Sequence, residues 1–298
     1  MLNIIAKTKY SYIFSITLSV LSIVALFTWG LKYSIDFTGG TLMEIKFENN
    51  LPVNLDIENA LKDLTLKSLT LQSTGNNSVL IRYASEDDKT NQNVLNALAG
   101  KYPDSKNLRT DYANASVSGE LKTKSLMAIF WAIMGIMAYV AWAFRKVSHP
   151  VASWKYGMGA VIALMHDVLI TVGVFSVLGH FYGVEVGVPF VAALLTILGF
   201  SVHDTIVVYD RTRENLQRSS AKEKFPEIVN RSLNETLVRS INTSLTVFIT
   251  LLAIYIFGGE SIKYFSLALL VGVTFGTYSS IFVASALLVT SYNLQIKK

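Results

Sequence analysis

Apolar residues in this chain are gathered into six long runs separated by polar stretches. The runs cover residues 12–31, 125–144, 156–178, 188–209, 241–257 and 264–290. Each is close to or above the ~18 apolar residues at which a membrane span becomes a better reading than a soluble helix. The pattern predicts an α-helical polytopic membrane protein with six transmembrane helices.

One long polar block, residues 32–124, interrupts the pattern between the first and second runs. Alternation of apolar and polar positions predicts strands over 41–47, 68–73, 78–83 and 108–113, the middle two turning at Gly75, Asn76 and Asn77. Helical spacing predicts helices over 54–63 and from a cap at Ser85 and Asp88 to Lys101. The order βαββαβ predicts a small α+β, ferredoxin-like domain. It holds no histidine and no phosphate-binding glycine loop, so it offers no catalytic constellation. The chain then divides into residues 1–31 with the first helix, 32–124 as the α+β domain, and 125–298 as a five-helix region with its loops.

Orientation follows from the cations in short loops, which are held on the cytoplasmic side. Lys7 and Lys9 precede the first run, and Arg145, Lys146 and Lys155 join the second and third. Seven cations from Arg211 to Arg239 join the fourth and fifth, and Lys297 and Lys298 end the sequence. The loops of opposite parity, 179–187 and 258–263, carry only Glu185, Glu260 and Lys263. Both termini are expected in the cytoplasm, with the α+β domain in the periplasm. The net charge of +5 is thereby a topology signal and implies no nucleic-acid partner. The first run exceeds a signal-peptide core and lacks a small-x-small cleavage site after it, which favours an uncleaved anchor. With no cysteine, the chain can form neither disulfides nor thiolate metal sites, and it has no cysteine nucleophile.

Ionisable residues inside apolar runs mark functional sites, because a charge at mid-membrane is costly. His203 and Asp204 lie in the fourth run and His166 and Asp167 in the third. At about 100° per residue, Asp204 shares a face with Ile197, Phe200, Ser201, Val208 and Arg211, while His203 points elsewhere. The fifth run opens with Arg239, followed by Asn242, Thr243, Thr246 and Thr250 along one side. Such a polar stripe is expected to face a bundle interior or a water-filled cavity. The plainer alternative is that Asp167, Asp204 and Arg239 are buried and paired, or that Arg239 snorkels to the surface. His166 alone reads as a satisfied core histidine.

Two further features have structural readings. Asp36, Phe37, Thr38, Gly39 and Gly40 follow the first run and read either as a membrane-exit turn or as a hinge to the domain. Ala268, Gly272, Gly276, Ser280 and Ala284 recur every fourth residue in the last run, as helix-packing positions do. The segment 225–239 begins with Pro226 and aligns Val229, Leu233 and Leu237 on one face, as an interfacial helix would.

Rival chemistries fare poorly. Adjacent His-Asp pairs diverge on a helix, whereas helical metal ligands use spacings of three or four, so no metal is expected. Ser201 beside Gly199 lacks the positioned base and oxyanion donors of a serine protease. No Walker motif is present, which excludes a P-loop motor. No cofactor is implied.

Several longer motifs resemble the SecF family of bacterial protein-export membrane proteins, within the SecD/SecF group and the resistance-nodulation-division superfamily. They are DFTGG with Glu44 (36–44), SGEL (118–121), HDVLITVG (166–173), GFSVHDTIVVYDRTREN (199–215), RSINTS (239–244) and GTYSSIF (276–282). The resemblance implies a non-enzymatic accessory subunit of the Sec translocase in the cell inner membrane. It would partner SecD, work beside the SecYEG channel with YajC, and use the proton motive force to draw unfolded preprotein outward late in export. It also implies that Asp204 and Arg239 form the proton pathway. Asp167, Ser201, His203, Thr205, Asn242, Thr243 and Thr246 are accessory polar candidates. The chain departs from the family at His203, where asparagine is usual; either the position is a tolerant packing site or the pathway gains a titratable group. The rival expectation is half of a small-molecule or lipid exporter, against which stands the small outer domain without an aromatic-lined pocket.

Overall fold

The structure, a computed structural model, describes residues 2–48, 51–74, 77–85, 87–145, 150–219 and 223–296. A 3₁₀ turn, Ile5–Lys7, leads into α1 (Thr8–Thr28). Then come α2 (Ile35–Thr38), β1 (Gly40–Phe47), α3 (Asn54–Leu61), β2 (Thr70–Thr74), β3 (Ser78–Tyr83), α4 (Asp88–Lys101) and β4 (Ser105–Ala113). The rest is helical: α5 (Ala115–Ala143), α6 (Ser153–Tyr182), α7 (Val188–Arg218), α8 (Phe225–Phe257) and α9 (Glu260–Ser279). A π turn, Ser280–Ala284, joins α9 to α10 (Ser285–Ile296). Among the described residues six helices are long and apolar enough to span a bilayer, α9 and α10 counting as one, so this is a multi-pass membrane protein.

The chain forms two compact units. The α+β unit comprises Tyr33–Leu126 with Glu185–Val188. Its antiparallel sheet has the order β2-β3-β1-β4, the ferredoxin-like arrangement, with β1 pairing β3 on one side and β4 on the other. Alternation along β1 buries Met43, Ile45 and Phe47 against Ile57, Leu61, Val94 and Leu98 of α3 and α4, giving this unit its own core. The register against β4 slips between Glu44 and Ile45. Ser85 and Asp88 were expected to cap α4, but the N-cap is Asp87, whose carboxylate accepts from the Lys89 N–H at 3.3 Å. Of the expected hairpin turn, Gly75 and Asn76 lie outside the described residues, as do Lys146, Lys222, Lys297 and Lys298 among the cations; Asn77 has φ 58°.

The signature after the first span folds as a tight turn. Ser34 caps α2 by accepting the Asp36 N–H at 3.2 Å, and Phe37 packs edge-on to Tyr33. Gly39 ends α2 at φ 73°. Gly40 has φ 109° and packs so closely on the Tyr83 carbonyl that no Cβ could fit.

In the membrane unit α6 packs against α1 and α9, and α8 packs against α9. Small residues permit close approach: Gly173 of α6 faces Ser22 of α1, and Gly272 and Gly276 of α9 face Ile197 and Ser201 of α7. The segment 225–239 is not a separate interfacial helix. It is the first part of α8, and Val229 and Leu233 are buried with Phe144, Val208, Tyr209 and Leu288. The apolar face predicted for lipid is consumed by protein packing.

Candidate functional site

Two aspartates lie buried in the membrane unit, each held by serine hydroxyls from other helices. Asp204 on α7 accepts from Ser240 of α8 at 2.7 Å and from Ser280, at the start of the π turn, at 2.8 Å. Asp167 on α6 accepts from Ser201 of α7 and Ser279 of α9, both at 2.6 Å, and its other oxygen contacts His166 Nδ1 at 2.9 Å. Asp167 is wholly buried and Asp204 is 6% exposed. A carboxylate deprived of water needs such donors, and hydroxyl-to-carboxylate bonds are among the stronger kind.

Helix geometry explains how one short stretch serves both centres. Ser279 and Ser280 are adjacent, so their side chains leave the axis about 100° apart, one toward α6 and one toward α7. Each serine has a single hydroxyl proton and a second acceptor on its own helix. Ser280 also reaches the Thr277 carbonyl at 2.9 Å, and Ser279 the Gly276 carbonyl at 3.1 Å. The backbone changes from α to π at Ser280, where the Ser285 hydroxyl bonds to the Ser280 carbonyl at 3.0 Å. Local π turns in α-helices gather at functional sites.

Ser280 was expected only to pack helices; it is a donor to Asp204, while Gly272 and Gly276 keep the packing geometry. Ser201 and Asp204 share a buried face, as the helical spacing predicts, but Ser201 bonds to Asp167. Thr205 is buried beside them. His203 is exposed and turned off that face. His166 is not the satisfied core histidine expected: it is buried with Nδ1 on Asp167, and Nε2 has no partner among the described residues.

Arg239 does not pair with Asp204 in this structure. Among the described residues it makes no ion pair or hydrogen bond with that carboxylate, and it is exposed. Ser240, the next residue, turns inward instead. Arg239 lines a cleft of about 500 Å³ between α7 and α8, with Asp210, Arg211, Glu214 and Glu235. There Arg211 is already engaged by Glu235 at 2.6 Å and by Glu214 at 2.5 Å. Asn242, Thr243, Thr246 and Thr250 are likewise exposed, so the stripe does not line this chain's own interior. Thr246 and Thr250 return their hydroxyls to carbonyls of α8 at 2.8 and 2.9 Å. The inward face of α8 carries Ser240 and Ser244, the latter 2.5 Å from the Thr277 hydroxyl. Sequence reasoning did not single out Ser240, Ser244 and Ser279, although they lie inside RSINTS and GTYSSIF and Ser240 and Ser244 are spaced by four.

Among the described residues no three His, Asp or Glu side chains converge as a metal site would require.

Comparison with known proteins adds the family. Residues 93–294 match the C-terminal region of the protein export membrane proteins SecD/SecF, and residues 24–50 match the SecD/SecF GG motif. The protein translocase subunit SecF of Thermobaculum terrenum is 43% identical over 305 residues, covering 97% of this chain and 94% of the relative. That of Vibrio alginolyticus is 39% identical over 287 residues, covering 94% and 86%. The crystal structure of SecDF, a translocon-associated membrane protein from Thermus thermophilus, superposes with a TM-score of 0.86 at 34% identity. It covers 98% of this chain, which spans only 39% of that longer protein. These matches show that the chain belongs to the SecD/SecF family of protein-export membrane proteins.

Proposed function

We propose that this chain is an accessory subunit of the Sec translocase that works with a SecD partner and uses the proton motive force to promote a late stage of protein export. It lies in the cytoplasmic membrane with both termini inside and the α+β unit outside, beside the SecYEG channel and YajC, where emerging unfolded preprotein is available. It acts without chemistry on its substrate. The observation that carries this reading is Asp204: a carboxylate inside a spanning helix, held by hydroxyls from two other helices and, among the described residues, by no cation.

The hydroxyls provide a way to register the proton. With Asp204 ionised, Ser240 and Ser280 both donate to it. Once Asp204 binds a proton it becomes a donor, and Ser280 can turn to the Thr277 carbonyl already within reach. The contact between α7 and the π turn then changes with each proton bound. Each proton crossing the membrane releases about 2.3 kcal/mol per 100 mV, enough to shift a two-state packing arrangement. Asp167, with Ser201 and Ser279, offers a second carboxylate of the same design, and Arg239 waits in the cleft beside Ser240 as the cation that can enter when α8 moves. The exposed stripe from Asn242 to Thr250 is the face expected to meet the partner, which explains why it is polar yet not covered by this chain.

Export of a secreted reporter in membrane vesicles, with and without a proton gradient, tests the reading. Asp204→Asn should abolish the gradient-dependent part and leave partner co-purification intact. Unchanged gradient dependence would refute it, and accumulation of a small solute or lipid instead would favour the exporter alternative.

A further inference from the structure

The signature aspartate does more than close a turn. Asp36 Oδ2 accepts the N–H of Val188, the first residue of α7, at 2.9 Å. A helix N-terminus leaves its first N–H groups without partners, and a carboxylate there also meets the positive end of the helix dipole. The residue before Val188 has to be small: a Cβ on Gly187 would overlap the Asp36 carboxylate and the Ser34 hydroxyl.

Two further contacts fasten the same segment. Arg82 of β3 pairs with Glu185, both largely buried, and donates from Nη1 to the Tyr33 carbonyl at 3.2 Å. Tyr33 and Val186 form a parallel bridge, with the Ser34 N–H bonded to the Val186 carbonyl at 2.9 Å. Burial lowers the Arg82 guanidinium to about 10, and the Asp36 carboxylate opposes that fall. Residues 185–188 are therefore tied to the α+β sheet and to the signature turn at once, and Val188 continues without a break into the helix that carries Asp204.

We propose that Asp36, Arg82 and Glu185 are positioning residues for export: they hold the entrance of α7 to the α+β unit, so that a shift of this unit is delivered to Val188 as a pull on α7. This deepens the proton-coupling reading and rests on it for the role of Asp204.

The test uses vesicles containing the complete complex, scoring export with and without a gradient. Asp36→Ala should lower the gradient-driven part by about tenfold, whereas Asp36→Asn, which keeps an acceptor for Val188, should stay within about threefold of the parent. Arg82→Glu and Glu185→Arg should each produce the same loss, and the double reversal should recover most of it, short of full because Tyr33 loses its donor. Gradient-independent export, membrane abundance and partner co-purification should hold throughout. The proposal is overturned if Asp36→Ala behaves as the parent, if the reversal restores nothing, or if all export falls together, which would mark a merely structural role. An Asp204→Asn arm separates the two ideas. If it keeps gradient-driven export while the fastening variants lose it and the reversal recovers it, the fastening stands and the proton assignment falls.

Discussion

Ser280 places its hydroxyl 2.8 Å from the Asp204 carboxylate, while its neighbour Ser279 serves Asp167 at 2.6 Å. Two buried carboxyl groups on different helices thus depend on consecutive residues of a third, at the point where that helix passes into a π turn.

Removing one donor should therefore weaken proton coupling before it weakens the fold. Ser280→Ala leaves Asp204, among the described residues, with the Ser240 hydroxyl as its remaining donor, a loss of roughly 1.5–3 kcal/mol of hydrogen bonding to the carboxylate. The profile of export against the size of the imposed gradient should flatten, its gradient-driven part falling about tenfold with protein abundance unchanged. Ser280→Thr, which keeps the hydroxyl, should restore the parent profile.

The sequence makes part of this legible. Six apolar runs and an alternating polar block predict the architecture, because burial and bilayer thickness act on composition over many residues. Asp204 and Asp167 stand out because a carboxylate in an apolar run is anomalous. Their donors do not stand out: serine is unremarkable in a membrane helix, and whether Ser240 or Asn242 faces inward is decided by how α8 packs, not by α8 alone. Of its two polar faces, the richer one, beginning at Arg239, drew attention, and it is the one this chain leaves open. Ser280 was hidden by periodicity itself, since its place in a four-residue series of small residues already had a sufficient explanation.

Packing around Gly272 leaves no room for a methyl group, because its Cβ would enter the Ile197 side chain. Gly272→Ala should destabilise the membrane unit by about 1–3 kcal/mol despite the gain in helix propensity. Thermal unfolding in detergent checks this. Ile197→Ala in the same chain should recover part of the loss, since the two sites share one space.

Two buried tyrosines should respond oppositely to loss of the hydroxyl. Tyr209 donates to the Ala284 carbonyl at 3.0 Å, within the π turn, while the Tyr156 hydroxyl is buried without a partner among the described residues. Tyr209→Phe should lower stability by about 1–3 kcal/mol, and Tyr156→Phe should be neutral or stabilising. Unfolding midpoints of the two variants decide the matter.

Alkaline stability of the α+β unit should turn on Tyr83. Burial pushes its phenol up to about 12, and its hydroxyl donates to Asn91 at 2.7 Å. A phenol that titrates later in the folded chain contributes stability that is complete below pH ~10, its unfolded value, and is lost as pH rises toward 12. Tyr83→Phe should be the less stable protein at neutral pH, with Asn91 left unpaired, and the gap should close between pH 10 and 12. Urea unfolding followed across that range provides the check.

The most direct measurement is proton flux through the complex reconstituted with its SecD partner in liposomes carrying an internal pH dye, comparing the parent with Asp204→Asn. The parent should acidify or alkalinise the lumen along an imposed gradient, and the variant, equally abundant and equally bound to its partner, should not. Equal flux in both would contradict the assignment of Asp204 as the residue that carries the proton.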